Sequence, residues 1–120
     1  MQAIYHITSE DEARAAALAG FYTPTAFASE GFIHCSYPHQ ICGVANRLFT
    51  GRLDLVLFEI DRDSLSPAVV DENLEGGAER FPHLYGRLPM ASVVAIFEFP
   101  CDAQGRFDLP HPLNTGHVPS

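Results

Sequence analysis

The 120-residue sequence contains no lysine, so its seven strongly basic residues are all arginines. Fifteen aspartates and glutamates outnumber them and give a formal net charge of −8 at pH 7. Such a chain repels nucleic-acid phosphates and anionic lipid headgroups. We therefore expect no general nucleic-acid binding and no membrane association, and we expect a small-molecule ligand as the partner.

Cysteines are also few, and long apolar segments are missing. Cys35, Cys42 and Cys101 are an odd number without CxxC spacing, which argues against a disulfide framework or a structural zinc site. With no HExxH motif either, we predict no metal site. The N-terminus lacks the pattern of a signal peptide, and no stretch approaches the roughly 20 apolar residues of a membrane helix. The expected location is the cytoplasm.

The glycine-rich loops of the two commonest nucleotide-binding architectures are missing too, since neither GxGxxG nor GxxxxGK occurs. The length and the 47% hydrophobic content predict a single domain over residues 1–120. We expect its core to span about residues 2–99, with an irregular tail over 100–120 that wraps the surface.

Local patterns predict an α+β fold with two main helices, in the order β-α-β-α-β-β-β-β. Ser9 and Glu12 form a capping box for a helix over 10–19, which Gly20 ends. A second helix runs from about Pro38 to Phe49, with an apolar stripe facing the core. Five of the six predicted strands span residues 2–7, 31–35, 53–60, 68–71 and 92–99, and the predicted loops span 21–30 and 72–80. Strand 53–60 is nearly all apolar, as expected for a central strand.

Two histidines inside predicted strands are the first candidates for a ligand site. Because strand side chains alternate, His6 shares a face with Thr8, and His34 shares a face with Ser36. If the two strands are neighbours, these four polar groups meet on one surface. The alternative for each histidine is a structural role, with both ring nitrogens satisfied inside the fold. Cys35 points away from His34, and we interpret it as a small buried hydrophobe.

The aromatic segment FPHLYG (81–86) follows a glycine pair at 76–77 and has two interpretations. It is either a tight turn with aromatic packing or part of a lid whose His83 or Tyr85 reaches the site. Glu72, near both a strand end and this segment, is either a surface residue or the acid of the site.

Arginines are the only strong cations available to a phosphate-bearing ligand. Arg80 and Arg87 flank the aromatic segment, and Arg47 lies on the second predicted helix. We predict that at least one of the three points toward the site containing His6 and His34; the alternative is that all three are solvated.

Six segments resemble one bacterial family, known as domain of unknown function 952. They are IYHIT, GFYTP, EGFIHCS, QICGVANRLF, LDLVLFEID and FPHLYGRLP, and the resemblance runs from about residue 2 to residue 99. Arg87 departs from the family's commoner FPHLYGPLP pattern. The resemblance implies an ADP-ribosylation-like fold, in which split antiparallel sheets flank a cleft.

A weaker similarity links the chain to RNA 2′-phosphotransferases and ADP-ribosyltransferases, which consume NAD. The layout of His6 to Thr8, a helix, Gly20-Phe21, and Phe32 to Ser36 is similar to their HxT, GL and HIH motifs. This similarity implies that His6 holds a ribose hydroxyl, that His34 and Ser36 hold the nicotinamide ribose, and that Glu72 is the catalytic acid.

Three functional hypotheses follow, with NAD as a substrate in the first. That hypothesis is an NAD-dependent transferase or glycohydrolase with His6, His34 and Glu72 as catalytic residues. Its ligand-binding residues are Tyr5, Thr8, Tyr22, Ser36, His83, Tyr85 and Arg87. The second is a non-catalytic nucleotide- or metabolite-binding module of the same fold. The third is an RNA phosphotransferase, which the acidic charge argues against. We expect a monomer or a small homo-oligomer.

Overall fold

The computed structural model describes residues 1–74 and 76–114 and shows an α+β fold built from antiparallel sheets. The strands are β1 (Ala3–Ser9), β2 (Phe21–Tyr22), β3 (Ile33–His34), β4 (Leu55–Asp61), β5 (Ala68–Glu72), β6 (Phe81–Tyr85), β7 (Leu88–Pro89) and β8 (Val93–Glu98). The helices are α1 (Glu10–Ala19), α2 (Phe27–Glu30), α3 (Ile41–Leu48) and α4 (His111–Asn114). Two sheets have three strands, in the orders β1-β4-β8 and β3-β6-β5, and β2 pairs with β7. The predicted α+β class is confirmed.

Strand β4 is the central strand of its sheet because both of its faces are apolar. Each residue from Leu55 to Phe58 is buried. β1 pairs with β4 in register from Ala3 opposite Asp61 to Ser9 opposite Leu55, and β8 pairs along the other edge. The predicted central strand is confirmed, with its start two residues later.

Helix α1 begins and ends at the predicted residues because local side chains fix both ends. The Ser9 hydroxyl accepts a hydrogen bond from the Glu12 amide at 3.1 Å. At the other end Gly20 adopts a left-handed conformation, with φ of 86°, and its amide donates to the Ala16 carbonyl. The second predicted helix is a 3-10 turn over Pro38–Gln40 that continues as α3.

Two predictions of irregular structure were wrong. Residues 21–30 form strand β2 and helix α2, because Tyr22 is buried and pairs with Leu88 of β7. Segment 81–86 is neither a tight turn nor a lid, since β6 is the central strand of its sheet. The Pro82 carbonyl still accepts a hydrogen bond from the Cys35 amide at 2.9 Å, so the proline is accommodated beside the two-residue strand β3.

The tail after residue 100 was expected to be irregular and to wrap the surface, but it contributes to the core. Phe107 is 2% exposed, and its ring centroid lies 5.0 Å from that of Phe99. Asn46 of α3 clamps the Phe107 backbone by accepting from its amide and donating to its carbonyl. Tail residues 115–120, and Glu75 of the predicted loop, lie outside the described residues.

The two three-stranded sheets meet where β1 approaches the segment after β3. The Tyr5 amide donates to the Ser36 carbonyl at 2.8 Å, and the Ser36 amide donates to the Tyr5 carbonyl at 2.7 Å. This bridge brings the strands of His6 and His34 side by side. Within residues 1–74 and 76–114, no helix is long and apolar enough to cross a membrane.

Candidate functional site

His6, on β1, contacts both of the other sheets through its ring nitrogens. Nδ1 lies 2.6 Å from the His34 carbonyl oxygen and Nε2 lies 2.7 Å from the Tyr22 hydroxyl. Because a carbonyl can only accept, Nδ1 must carry a proton. Burial lowers the pKa of His6, which favours a neutral ring. Both ring nitrogens of His6 are thus within hydrogen-bond distance of partners inside the fold, yet its half-buried ring still lines a cavity.

A chain of hydrogen bonds continues from Tyr22 to the surface. The Tyr22 hydroxyl lies 3.0 Å from the Thr8 hydroxyl, which donates to the Glu12 carboxylate at 2.6 Å. Thr8 and Tyr22 are buried, whereas Glu12 is exposed on α1. Sequence reasoning used Glu12 only as a helix-capping residue. Because Thr8 lies in β1 and Glu12 lies in α1, no spacing within one element marked this carboxylate as part of the site.

His34 belongs to a row of rings on one face of the sheet β3-β6-β5. Its ring centroid lies 4.9 Å from that of Phe81 and 5.3 Å from that of His83. His83 is only 3% exposed and stacks on Phe32 with centroids 4.2 Å apart. The ring of His83 therefore contacts that of His34 without entering the open cavity.

Glu72 lies beyond His83 on the same sheet face. Its carboxylate accepts from the Tyr85 hydroxyl and lies 3.0 Å from Nδ1 of His83. These hydrogen bonds, from Tyr85 first and then His83, lower the pKa of Glu72, so the group is a carboxylate at neutral pH. Its chemistry is that of a negative charge that stabilises a cation, not that of a proton donor.

A cavity of about 320 Å³ opens beside the two histidines. Its walls combine polar groups with the aromatic rings of Phe32 and Phe49. The polar and charged lining residues are Tyr5, His6, Glu30, His34, Ser36 and Arg47. Leu48, predicted on the core stripe of its helix, is instead exposed and lines this cavity. The size and the mixed lining are typical of a small-molecule site.

A second cavity of about 390 Å³ adjoins the first, because His6, Ile7, Ala26 and Phe49 line both. Thr8, Glu12, Tyr22 and Arg52 line its other walls. We call the two cavities together the histidine cleft. The two linings together hold residues from β1, α1, β2, α2, β3 and α3, and from the chain between α3 and β4.

Several sequence-predicted site residues lie outside the histidine cleft. Among the described residues, its lining does not include Glu72, His83 or Tyr85, which lie behind Phe32 and His34. Arg87, predicted to bind the ligand, is not among these lining residues either: its guanidinium carbon lies 4.2 Å from the centroid of the Phe21 ring, a cation–π contact. Arg87 lines a neighbouring cavity that shares Glu12 and Tyr22 with the cleft.

Of the three arginines considered for phosphate, Arg47 lines the histidine cleft. The Arg80 carbonyl accepts from Gln40. Among the described residues of the predicted loop 72–80, none lines the cleft. Gly77 lines a neighbouring cavity, which shares Val44 and Arg47 with the cleft.

Cys35 follows His34 in the chain but is not among the residues that line the two described cavities of the cleft. Cys35 is fully buried, and burial raises the pKa of its thiol to about 12, in agreement with its interpretation as a buried hydrophobe. In the part of the chain that the structure describes, no three His, Cys, Asp or Glu side chains are grouped so that they could hold a metal ion.

Comparison with known proteins identifies the family. The chain matches the sequence profile described as "Protein of unknown function (DUF952)" over residues 7–96, and it belongs to that family. It is similar to the crystal structure of protein CC0527 from Caulobacter crescentus, with 32% identity, a TM-score of 0.84 and coverage of 94% of this chain and 99% of that chain. The solution NMR structure of CC0527 gives 34% identity, a TM-score of 0.78 and coverage of 88% and 91%. No curated protein matches.

Proposed function

We propose that this protein binds a small molecule in the histidine cleft. The observation that carries the proposal is the convergence of His6, His34 and Ser36 with Arg47 around one cavity of about 320 Å³. These groups come from β1, β3, the segment after β3 and α3, so folding alone brings them together. Sites that bind small molecules combine an apolar wall with a few fixed polar groups, as here.

Within that proposal, the ligand is NAD or another ADP-ribose compound. Arg47 supplies a cation for the phosphates, and Phe32 and Phe49 offer ring faces for a base. The choice of ligand also rests on the ADP-ribosylation-like fold that the sequence resemblance implies, and the antiparallel sheets of this chain meet between His6 and His34. The formal charge of −8 favours this small ligand over RNA.

A second candidate function is cleavage of the bound NAD by a transferase or glycohydrolase. The observation that favours it is the ionised Glu72, which contacts His83 and through it the ring of His34. Breaking the bond to nicotinamide develops positive charge on the ribose, which a fixed carboxylate stabilises. Against it, Glu72 lies outside the cleft lining and both ring nitrogens of His6 are engaged, an arrangement that also suits a non-catalytic module.

Calorimetric titration of NAD and of ADP-ribose tests the proposed binding. We expect wild type to bind at least one of the two with one site. His34→Ala is expected to remove the binding and to change the Tm little, because a half-buried residue of the cleft wall adds less to stability than a fully buried core residue. His111→Ala, an exposed histidine outside the cleft lining, is the matched control and retains binding.

The outcomes separate the candidate functions. No binding of either nucleotide by wild type would contradict the proposed ligand class, and equal binding by wild type and His34→Ala would move the site elsewhere. Free nicotinamide, measured chromatographically after incubation with NAD, would identify an enzyme. Bound but intact NAD would identify a non-catalytic module.

A further inference from the structure

Four consecutive contacts connect the His34 backbone to a carboxylate at the protein surface. The His34 carbonyl lies 2.6 Å from Nδ1 of His6, and Nε2 of His6 lies 2.7 Å from the Tyr22 hydroxyl. That hydroxyl lies 3.0 Å from the hydroxyl of Thr8, which lies 2.6 Å from the Glu12 carboxylate. All four distances are short enough for hydrogen bonds.

The number of available protons determines which forms this chain of hydrogen bonds can take. Four hydrogen bonds need four protons, but a neutral His6, one hydroxyl each on Tyr22 and Thr8, and an ionised Glu12 provide three. One additional proton completes the chain. That proton can be on His6, with every hydroxyl donating toward Glu12, or on Glu12, with every hydroxyl donating toward His6. The two forms have the same heavy-atom positions and the same total charge.

We propose that Glu12, Thr8, Tyr22 and His6 form a proton relay between solvent at Glu12 and the cavity that His6 lines together with His34. In the inward direction the Glu12 carboxyl gives its proton to the Thr8 oxygen, whose own proton passes to the Tyr22 oxygen. The Tyr22 proton then passes to Nε2 of His6. Each oxygen loses one O–H bond and gains another except Glu12, which ends as a carboxylate, while His6 ends as an imidazolium. The outward direction is the exact reverse.

The ends of the relay are placed for this task. Glu12 is exposed on the first turn of α1 and exchanges protons with water, whereas Tyr22 and Thr8 are buried between it and His6. Other charged or titratable groups near His6 also influence its protonation. They are Tyr5 on β1, His34 on β3, the buried Cys35, and Glu30, Arg47 and Arg52 on the cleft walls. Arg52 is paired with Asp54 at 2.8 Å.

The relay itself does not depend on the ligand, although its use rests on the proposed function. With it, a molecule that fills only the cavity beside His34 would leave His6 able to gain or lose a proton through Tyr22, Thr8 and Glu12, which line the second cavity of the cleft. In the relay Glu12 is a positioning residue, because its protonation determines the charge on His6 during binding.

A pH titration of the free protein, followed by NMR, tests the relay without any ligand. The ring nitrogens of His6 and the side-chain carboxyl carbon of Glu12 are recorded from acid to neutral pH. Groups that share a proton titrate together, so in wild type both signals should show the same steps. Thr8→Val removes the connecting hydroxyl but retains both titrating groups, and Tyr22→Phe breaks the chain at a different element. Glu10→Gln, an exposed carboxylate of the same helix turn, is the control.

The relay predicts that the shared steps are lost in Thr8→Val and in Tyr22→Phe, where Glu12 follows a single step of its own, and are retained in Glu10→Gln. Independent titration of the two groups in wild type would overturn it. Shared steps that persist in both Thr8→Val and Tyr22→Phe would also overturn it, because the coupling would then act through space. Neither result depends on whether NAD binds, so the relay and the proposed nucleotide binding can be contradicted independently of each other.

Discussion

Replacing Phe107 with alanine is expected to lower the free energy of unfolding by about 3–5 kcal/mol. The ring is 2% exposed and packs against Phe99 in a cluster that includes Tyr5, Leu57 and Ile41. Truncation leaves a cavity. The cavity does not collapse because Asn46 of α3 holds the Phe107 backbone through two hydrogen bonds. Urea unfolding monitored by circular dichroism measures the loss as a lower midpoint with an unchanged slope.

Phe21→Ala is the matched control for Phe107, because Phe21 is 42% exposed. Its expected loss is about 1 kcal/mol, mainly the cation–π contact with Arg87. If Phe107→Ala were no more destabilising than Phe21→Ala, the segment after residue 100 would not be part of the folded core. Because Tyr5 lies in the same cluster and also lines the cleft, the tail supports one wall of the site.

Replacing Ala26 with tryptophan is expected to weaken ligand binding at least about 100-fold, equivalent to about 2.8 kcal/mol. Ala26 lines both halves of the histidine cleft, so an indole at this position occupies the space between them. The residue is exposed at the N-terminal end of α2, where a larger side chain does not disturb the core. Titration of whichever nucleotide binds wild type measures the effect.

Ala28→Trp gives the control for the cleft-filling variant. Ala28 is exposed on the same short helix but is not among the residues that line the two described cavities of the cleft. The Ala28→Trp variant adds the same indole ring but leaves the cleft open, so its affinity for the ligand should equal that of wild type. Equal affinity of both variants would show that the ligand binds outside the cleft, and equal loss would show that α2 itself, not the filled space, is responsible.

The elements that could be predicted from the sequence are those whose ends are determined locally. Ser9, Glu12 and Gly20 determine both ends of α1 through contacts within a few residues. The apolar run of β4 identifies a strand covered on both faces wherever it lies in the chain. These two elements needed no knowledge of the rest of the fold.

Elements that depend on distant partners could not be predicted. Strand β2 has two residues and exists because β7, more than 60 residues later, pairs with it. Strand β6 contains Pro82, which argues against a central strand, and is tolerated because its neighbour β3 is so short. Phe107 follows a segment rich in turn residues, and nothing local marks it as buried.

The candidate site likewise contains some residues whose positions could be predicted from the sequence and others whose positions could not. Alternation along each strand predicted that His6 shares a face with Thr8 and that His34 shares a face with Ser36. The approach of the two strands, which places Nδ1 of His6 2.6 Å from the His34 carbonyl, depends on the bridge between Tyr5 and Ser36. The positions of Tyr22 and Glu12 depend on how β2 and α1 pack against β1, which no sequence spacing encodes. Arg87 was assigned to the ligand by its position beside an aromatic segment, but the aromatic ring it contacts is Phe21.

The most direct test of the central claim is to map ADP-ribose binding on the ¹⁵N-labelled protein by amide chemical-shift changes. The account predicts that the largest changes cluster at His6, His34 and Ser36 and along α3 to Arg47, with smaller changes at Phe21 and Arg87. Changes centred on Phe21 and Arg87, or no saturable changes at any described residue, would contradict it.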